Sequence, residues 1–384
     1  MQADLQVHAA LQTLADLVRI NSVNLAYQGG VTEEAVALYV EQFFQDRGIE
    51  SFRQPVAPGQ FNVIARLPGR QPRRRVVLEA HMDTVSVSGM SIPPFEPRIA
   101  DGLLYGRGSC DTKAGLATMM HALADLHARG ITPPCEVWLA AVVDEEFSFQ
   151  GVTRLCQDLH AQAAIVAEPT ELRIVRASKG VLRWKLRTLG KAAHSAKPHL
   201  GVSAIQHMAY VLQALEAEGA RLATITNPLL GPATLNVGLI RGGEQINFVP
   251  DRCEIAIDRR LLPGEDPHDV WRHTGALVES LRARIPALQV ETDAPSIADA
   301  AMETPAGEAV VQVAQSILQD MGTDPIPQGV PFGSDASKLS RQGIPSIIFG
   351  PGSIDRAHAA VEYVECDQVL TALAFFTRFL EQFE

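Results

Sequence analysis

Four short apolar runs in this chain each end in residues that bind metals or move protons. Residues 75–80 lead to His81-Met82-Asp83, and residues 136–143 lead to Asp144-Glu145-Glu146. Residues 163–167 lead to Glu168, and residues 346–349 lead, through a Gly350-Pro351-Gly352 turn, toward His358. Read as strands, the runs would bring these ends to one edge, because open α/β sheets place their sites outside the carboxyl ends of strands. Imidazole nitrogens and carboxylate oxygens gathered there would suit a cation such as zinc. A carboxylate left free beside it would act as general base toward a water.

Each residue also has an ordinary reading. His81 and Asp83 sit two apart, so on a strand they point the same way, and the carboxylate would fix the imidazole tautomer. A solvated strand end explains the pair equally well. Asp144-Glu145-Glu146 reads as a solvated acidic loop, or as one metal ligand beside one free base. Asp111, in GRGSCDTKAG, stands where an Asp caps a helix, or where its two oxygens would bridge two cations. Gly106 and Gly108 would let the backbone approach such a site closely. Their spacing does not fit a dinucleotide fingerprint. Glu168 before Pro169, and His358 alone, read as surface residues until their company is considered.

The elements that must position these residues alternate. Helices are expected near 4–19, 32–48 and 113–129, the last stopped by Gly130, and strands at 61–67, 75–80, 136–143 and 163–167. This implies an α/β domain with a mostly parallel, covered sheet. From 181 the pattern changes. Val181, Arg183, Lys185 and Arg187 alternate with an apolar face of Leu182, Trp184, Leu186 and Leu189. A helix near 201–218, strands at 234–241 and 253–260, a helix at 267–284 and a strand at 287–292 complete a β-α-β-β-α-β order. That order belongs to a ferredoxin-like α+β unit. A helix near 304–321, a strand at 346–349 and a helix at 367–382 return to the first pattern. The expected division is 1–179 and 294–384 for the catalytic domain, with 180–293 inserted.

The totals exclude other classes. The chain has 384 residues, enough for about two domains, and a net charge of −11, which argues against a general nucleic-acid binder. Arg73-Arg74-Arg75 reads as a solvated loop leading into a strand. No run approaches a membrane span, and the start reads as an amphipathic helix rather than a signal peptide. Cys110, Cys135, Cys156, Cys253 and Cys366 are scattered and odd in number, which favours free thiols in a reducing cytoplasm.

As a set, HMD, GRGSCDTKAG, VDEEFSFQG, VAEPT, GKAAHSAKPHLGVSAI and GPGSIDRAH resemble, in order and over nearly the whole chain, the co-catalytic zinc amidohydrolases. These include acetylornithine deacetylase, succinyl-diaminopimelate desuccinylase, aminoacylase and the folate-cleaving glutamate carboxypeptidase. The resemblance implies a zinc-exopeptidase-like catalytic domain with an inserted ferredoxin-like lid and dimerisation domain. It implies two Zn2+ ions, replaceable by Co2+ or Mn2+. His81 and Glu168 would hold one, Glu146 and His358 the other, and Asp111 would bridge them, with a cis peptide after Asp111. Asp83 would orient His81, and Glu145 would be the base. His194 would stabilise the oxyanion, reaching the opposite subunit's site in a homodimer. Arg260 and Asn247 would bind a small carboxylate-bearing amide, with Gly333 and Ser334 lining the pocket. GPGSIDRAHAAVEYV is most similar to the acetylornithine deacetylase type, so an N-acyl amino acid is the expected substrate. A dipeptidase or carboxypeptidase is the alternative. A non-catalytic binding relative fits less well, since His81, Asp83, Asp111, Glu145, Glu146, Glu168 and His358 are all present.

Overall fold

Val76, Val77 and Leu78 belong to the strand Gln71–His81 in the computed structural model, which describes residues 8–384. This strand lies inside a sheet ordered Glu50–Ala57, Gln60–Leu67, Cys135–Val142, Gln71–His81, Ala163–Val166, Ser346–Ile348. The first two strands run antiparallel to their neighbours, and the last four are mutually parallel. Register aligns His81 with Val142, and both Glu79 and Ile348 with Val166. The carboxyl ends of the four parallel strands therefore stop at about one level.

Val76, Leu78, Ala80, Leu139, Ile165 and Phe349 share one core with the helices Ala9–Arg19, Lys113–Ala128 and Cys366–Gln382. Val77, on the opposite face of its strand, is equally buried, so the sheet is covered on both faces. The closing helix is held by aromatic packing, with the Phe349 and Phe375 rings 3.9 Å apart. Burying each such ring contributes about 1.5–3 kcal/mol. Helix Lys113–Ala128 approaches the sheet at Gly115, where an added Cβ would stand 2.4 Å from the Cβ of Ala167. That close approach sets the distance between Asp111, just before the helix, and Glu168, just after the strand.

These residues form one of two compact units, made of the chain up to Arg176 with Thr304–Gln328 and Ser334–Glu384. The other comprises Ala177–Glu303 and Gly329–Gly333. Its antiparallel sheet is ordered Thr234–Gly242, Arg252–Leu261, Gly180–Leu189, Gln289–Thr292. Numbered along the chain this is 2-3-1-4, the order of a ferredoxin-like βαββαβ unit. Helices Ala204–Leu222 and Pro267–Arg284 cover the face that carries Leu182, Trp184, Leu186, Ile255 and Ile257.

Several elements differ from expectation. The first residues of the helix expected near 4–19 lie outside the described residues, and the helix is seen over Ala9–Arg19. Arg73-Arg74-Arg75 is strand rather than loop, because the ladder to Cys135–Val142 begins at Gln71. Leu189 is only half-buried. Thr188 takes the inward position, because alternation fixes the face and its hydroxyl donates to the Ala204 carbonyl (2.8 Å). The helix expected from 304 begins at Ala309, since Met302–Glu303 pairs as a short strand with Val175–Ser178. Ile297–Asp299 adds to the Gly180–Leu189 strand, which carries the second unit past 293.

Two glycines in helices should respond oppositely to alanine. Gly115→Ala should lower stability by about 1–3 kcal/mol through overpacking against Ala167. Gly219→Ala, in the helix Ala204–Leu222 with nothing within 4 Å of the new Cβ, should raise it by up to about 1 kcal/mol. Urea denaturation of both variants checks the two signs.

Candidate metal centre

The four parallel strands deliver their terminal residues to one place. His81 ends its strand, and Glu168 follows Ala163–Val166 by two residues. Asp144 leaves Cys135–Val142 through a left-handed backbone (φ 64°), which turns Glu145 and Glu146 back over the sheet edge. The chain beyond Ser346–Ile348 returns at His358, also left-handed (φ 60°). Gly106 and Gly108 take positive φ on the way to Asp111, and the Asp111–Thr112 peptide is cis.

Asp111 is the centre of the cluster. Its Oδ1 lies 3.1 Å from His81 Nε2 and its Oδ2 lies 3.2 Å from His358 Nε2. Glu146 Oε1 is 3.2 Å from the same His358 nitrogen. His81, Asp111 and Glu168 place one donor atom each within 4.8 Å of one another, and so do Asp111, Glu146 and His358. Asp111 does not cap the following helix. Thr112 occupies the N-cap position, and the Asp111 oxygens face the two histidines.

The electrostatics of the cluster favour cations. Burial pushes Glu145 and Glu168 well above the usual carboxylate range, and pushes Glu146 up to about 7. Burial opposes the charge on Asp111 as well, but hydrogen bonds with His358 and His81 hold it below its usual value. The hydrogen bond to Asp111, then that to Glu146, raises His358 to about 10. So many carboxylates with so little compensating charge are expected where cations belong. The donor set is one imidazole with two carboxylates on each side, the shared Asp111 among them. Such nitrogen and oxygen donors fit two divalent ions of the zinc type.

A surrounding layer fixes these groups. Asp83 Oδ1 accepts from Glu145 N (3.1 Å), and its Oδ2 accepts from Glu146 N (3.0 Å) and Asn24 Nδ2 (2.8 Å). His81 Nδ1 lies 3.0 Å from the Asp83 carbonyl oxygen and 3.5 Å from its carboxylate. The Glu362 carboxylate accepts from the backbone N–H groups of Cys110 (2.9 Å) and Asp111 (3.1 Å). It also accepts from Arg107 Nη1 at 2.5 Å, in an ion pair with almost no exposure. Lys113 Nζ, fully buried, donates to the carbonyls of Leu17 and Ile20 (both 2.9 Å) at the end of helix Ala9–Arg19. Glu79 and Asp335 form a buried acidic pair that feels the charge of His81. Burial, then the neighbouring Asp335, drives Glu79 well up, and burial pushes Asp335 up to about 6.

The first unit thus brings together His81, Asp83, Asp111, Glu145, Glu146, Glu168 and His358. In the second unit, His194 and Asn247 are neighbours. Ala193–His194 pairs with Phe248–Val249, and Ser195 N donates to the Asn247 carbonyl (2.9 Å). Arg260 Nε donates to Asp258 on its own strand (2.8 Å). Gly333 sits where a Cβ would come within 3.0 Å of Asp299. Ser334 is fully buried, and its Oγ accepts from Ala336 N at the start of helix Ala336–Arg341. Its hydroxyl oxygen serves that turn. Asn24, Arg107, Lys113, Glu362 and Glu79 were not foreseen. The strand position of Glu79, two before His81, placed it on the same face and was the one available signal.

The chain matches the profile of peptidase family M20/M25/M40 over residues 77–382. It is 31% identical over 349 residues to an acetylornithine deacetylase of Myxococcus xanthus, covering 89% of this chain and 87% of that protein. It is 29% identical over 355 residues to a peptidase M20 domain-containing protein of Schizosaccharomyces pombe, covering 91% and 80%. Among solved structures, a tripeptidase from Staphylococcus aureus shares the fold with a TM-score of 0.80 at 22% identity, covering 97% of both chains. An M20 family metallo-carboxypeptidase from Sulfolobus solfataricus does so with a TM-score of 0.80 at 19% identity, covering 98% of this chain and 99% of that one.

The proton balance predicts how metal-free protein responds to pH. The folded state keeps protons on Glu146 up to about 7 and on His358 up to about 10. The unfolded chain releases them near 4.5 and 6.5. At these two groups the folded protein binds more protons, and below about 7, where the buried Lys113 does not yet act in the opposite sense, stability should fall as pH rises from about 5 to 7. Thermal unfolding of metal-free protein should show that decline. Adding zinc should flatten it and release protons, measurable by calorimetry in buffers of different ionisation enthalpy.

Proposed function

The chain belongs to peptidase family M20/M25/M40 and is a metal-dependent amide hydrolase, and on that premise we propose that it deacylates an N-acyl amino acid. The observation that carries this reading is the shared Asp111, with a histidine on each oxygen and Glu145 beside the two ligand groups but in neither. The likeness to acetylornithine deacetylases over most of the chain supports the acyl-amino-acid class.

Zinc is the metal this reading assigns, with Co2+ or Mn2+ as substitutes. Two such ions, held by His81, Glu168, Glu146, His358 and the bridging Asp111, would lower the pKa of a shared water and polarise the scissile carbonyl. Glu145 takes the water's proton and delivers it to the departing amine nitrogen. Its burial, which raises its proton affinity, suits it to hold that proton between the two transfers. Asp83 keeps His81 in one orientation and fixes the turn that carries Glu145. His194 donates to the carbonyl oxygen as negative charge develops there. Arg260 exchanges Asp258 for the substrate carboxylate, with Asn247 beside His194 as a second polar contact. Gly333 and Ser334 shape the pocket wall.

In this reading the second unit is an inserted lid that also joins two copies in a homodimer. Strand Thr234–Gly242 is an edge of its sheet, with Leu239 and Ile240 more than half exposed and Ile246 fully exposed nearby. An apolar sheet edge of that kind suits a second copy. Among the described residues no helix is long and apolar enough to cross a membrane, and the five cysteines are free, in keeping with a cytoplasmic enzyme.

Metal analysis should find two ions per chain. In a panel of N-acetyl amino acids, N-acetyl-L-ornithine among them, N-succinyl amino acids, dipeptides and tripeptides, acetyl release should give the highest kcat/KM. A tenfold or greater preference for peptides would replace deacylase by peptidase. Glu145→Ala should keep both metals and lose turnover by about 10²–10⁴. Activity above about one-tenth of wild type would remove Glu145 as the base.

A further inference from the structure

Asn24 is buried (1% exposed) between two carboxylates that belong to different strand ends. Its Nδ2 donates to Asp83 Oδ2 at 2.8 Å and to Asp144 Oδ1 at 2.9 Å. Its Oδ1 accepts from Ala26 N at 2.9 Å. This pattern fixes the amide orientation, since only the NH2 group has two hydrogens to give and only the oxygen can accept. The residue is itself anchored on both sides. Asn24 N donates to the Thr84 carbonyl and Thr84 N donates to the Ser22 carbonyl, both at 2.9 Å.

Asp83 and Asp144 are almost wholly buried. Asp83 holds the turn by accepting from the backbone of Glu145 and Glu146. Asp144 opens the same turn in a left-handed conformation, and its other oxygen accepts from Ser148 Oγ and Gln150. Without the amide, two anions would face each other across the space it fills, in surroundings where like charges repel strongly. We infer that Asn24 is a positioning residue: its NH2 group holds the Asp83 and Asp144 carboxylates together and so sets the place of both Glu145 and Glu146. Tyr27, on the same segment, adds a bond from its hydroxyl to the Glu146 carbonyl (3.1 Å).

This inference rests on the roles given to Glu145 and Glu146 above, and its test separates the two. Wild-type protein that bound fewer than two metals, or cleaved no amide in the panel, would sink the hydrolase reading itself. With an active wild type, Asn24→Ala is titrated with Zn2+ by calorimetry and assayed on the panel's best substrate. Zinc affinity and kcat per loaded site should each fall by about 10–100-fold, with KM changed less than about threefold. Asp144→Asn, which removes one of the opposed charges and brings its own NH2, should recover part of the loss in the Asn24→Ala background. Additive effects of the two substitutions would overturn the inference. So would an Asn24→Ala protein with a lower melting temperature but unchanged zinc affinity and kcat. If the alanine variant does not fold, Asn24→Ser, which keeps one donor, carries the same measurements with a smaller expected loss.

Discussion

Asp83, Asp111, Glu145, Glu146 and Glu168 crowd one end of a sheet whose interior offers them little solvent. Nearly everything around the site answers that constraint. Isolated carboxylates would give up their charge in such a place, and burial does drive Glu145, Glu146 and Glu168 toward the protonated form. Asp111 escapes because a histidine meets each of its oxygens. Asp83 escapes because His81, Asn24 and two backbone N–H groups face it. Asp83 and Asp111 thus keep their charge through partners within the protein, whereas Glu145, Glu146 and Glu168 are the carboxylates that cations would have to neutralise or that would hold a proton as the base.

The scaffold positions the anions with rigid parts. Four parallel strands in register end side by side, so small differences in exit direction decide which residue faces which. Glu362 and Arg107 hold the Asp111 backbone from one side, and Gly115 lets the next helix close on Ala167 from the other. The Arg107–Glu362 pair is weak support for stability as such, since removing both charges from water is costly. Its value is geometric, because one carboxylate accepts from consecutive backbone N–H groups at Cys110 and Asp111 and leaves their peptides little freedom.

What could be read from sequence follows the same division. The gathering of possible ligands at the strand ends was legible because strand and side chain are joined covalently, so periodicity located the first and residue type named the second. The β-α-β-β-α-β unit was legible for a similar reason, since Leu182, Trp184 and Leu186 alternate with charged residues. Leu189 misled because an apolar residue was assigned inward against the period, and burial followed the period. Asn24 and Glu362 were not legible. Each meets its partners across a long stretch of chain, and neither an Asn in a loop nor a Glu before a Tyr carries a pattern. The local sequence fits Asp111 as a cap and as a bridge alike, and only the resemblance to a family favoured the bridge, while the structure puts Thr112 at the cap position.

The residues proposed to read the substrate are held quite differently from those proposed to perform the chemistry. His194 and Asn247 stand on exposed, short paired segments, and Arg260 already has a carboxylate partner in Asp258. A substrate carboxylate gains at Arg260 only the difference between two ion pairs, one intramolecular and partly exposed. That difference is small for any single contact. Discrimination among acyl amino acids would therefore be distributed over several modest contacts. The buried cluster, by contrast, tolerates few changes, since moving any one carboxylate unbalances its neighbours. Changes at the exposed contacts would therefore shift substrate preference, while the proposed amide chemistry stays with the buried cluster around Asp111.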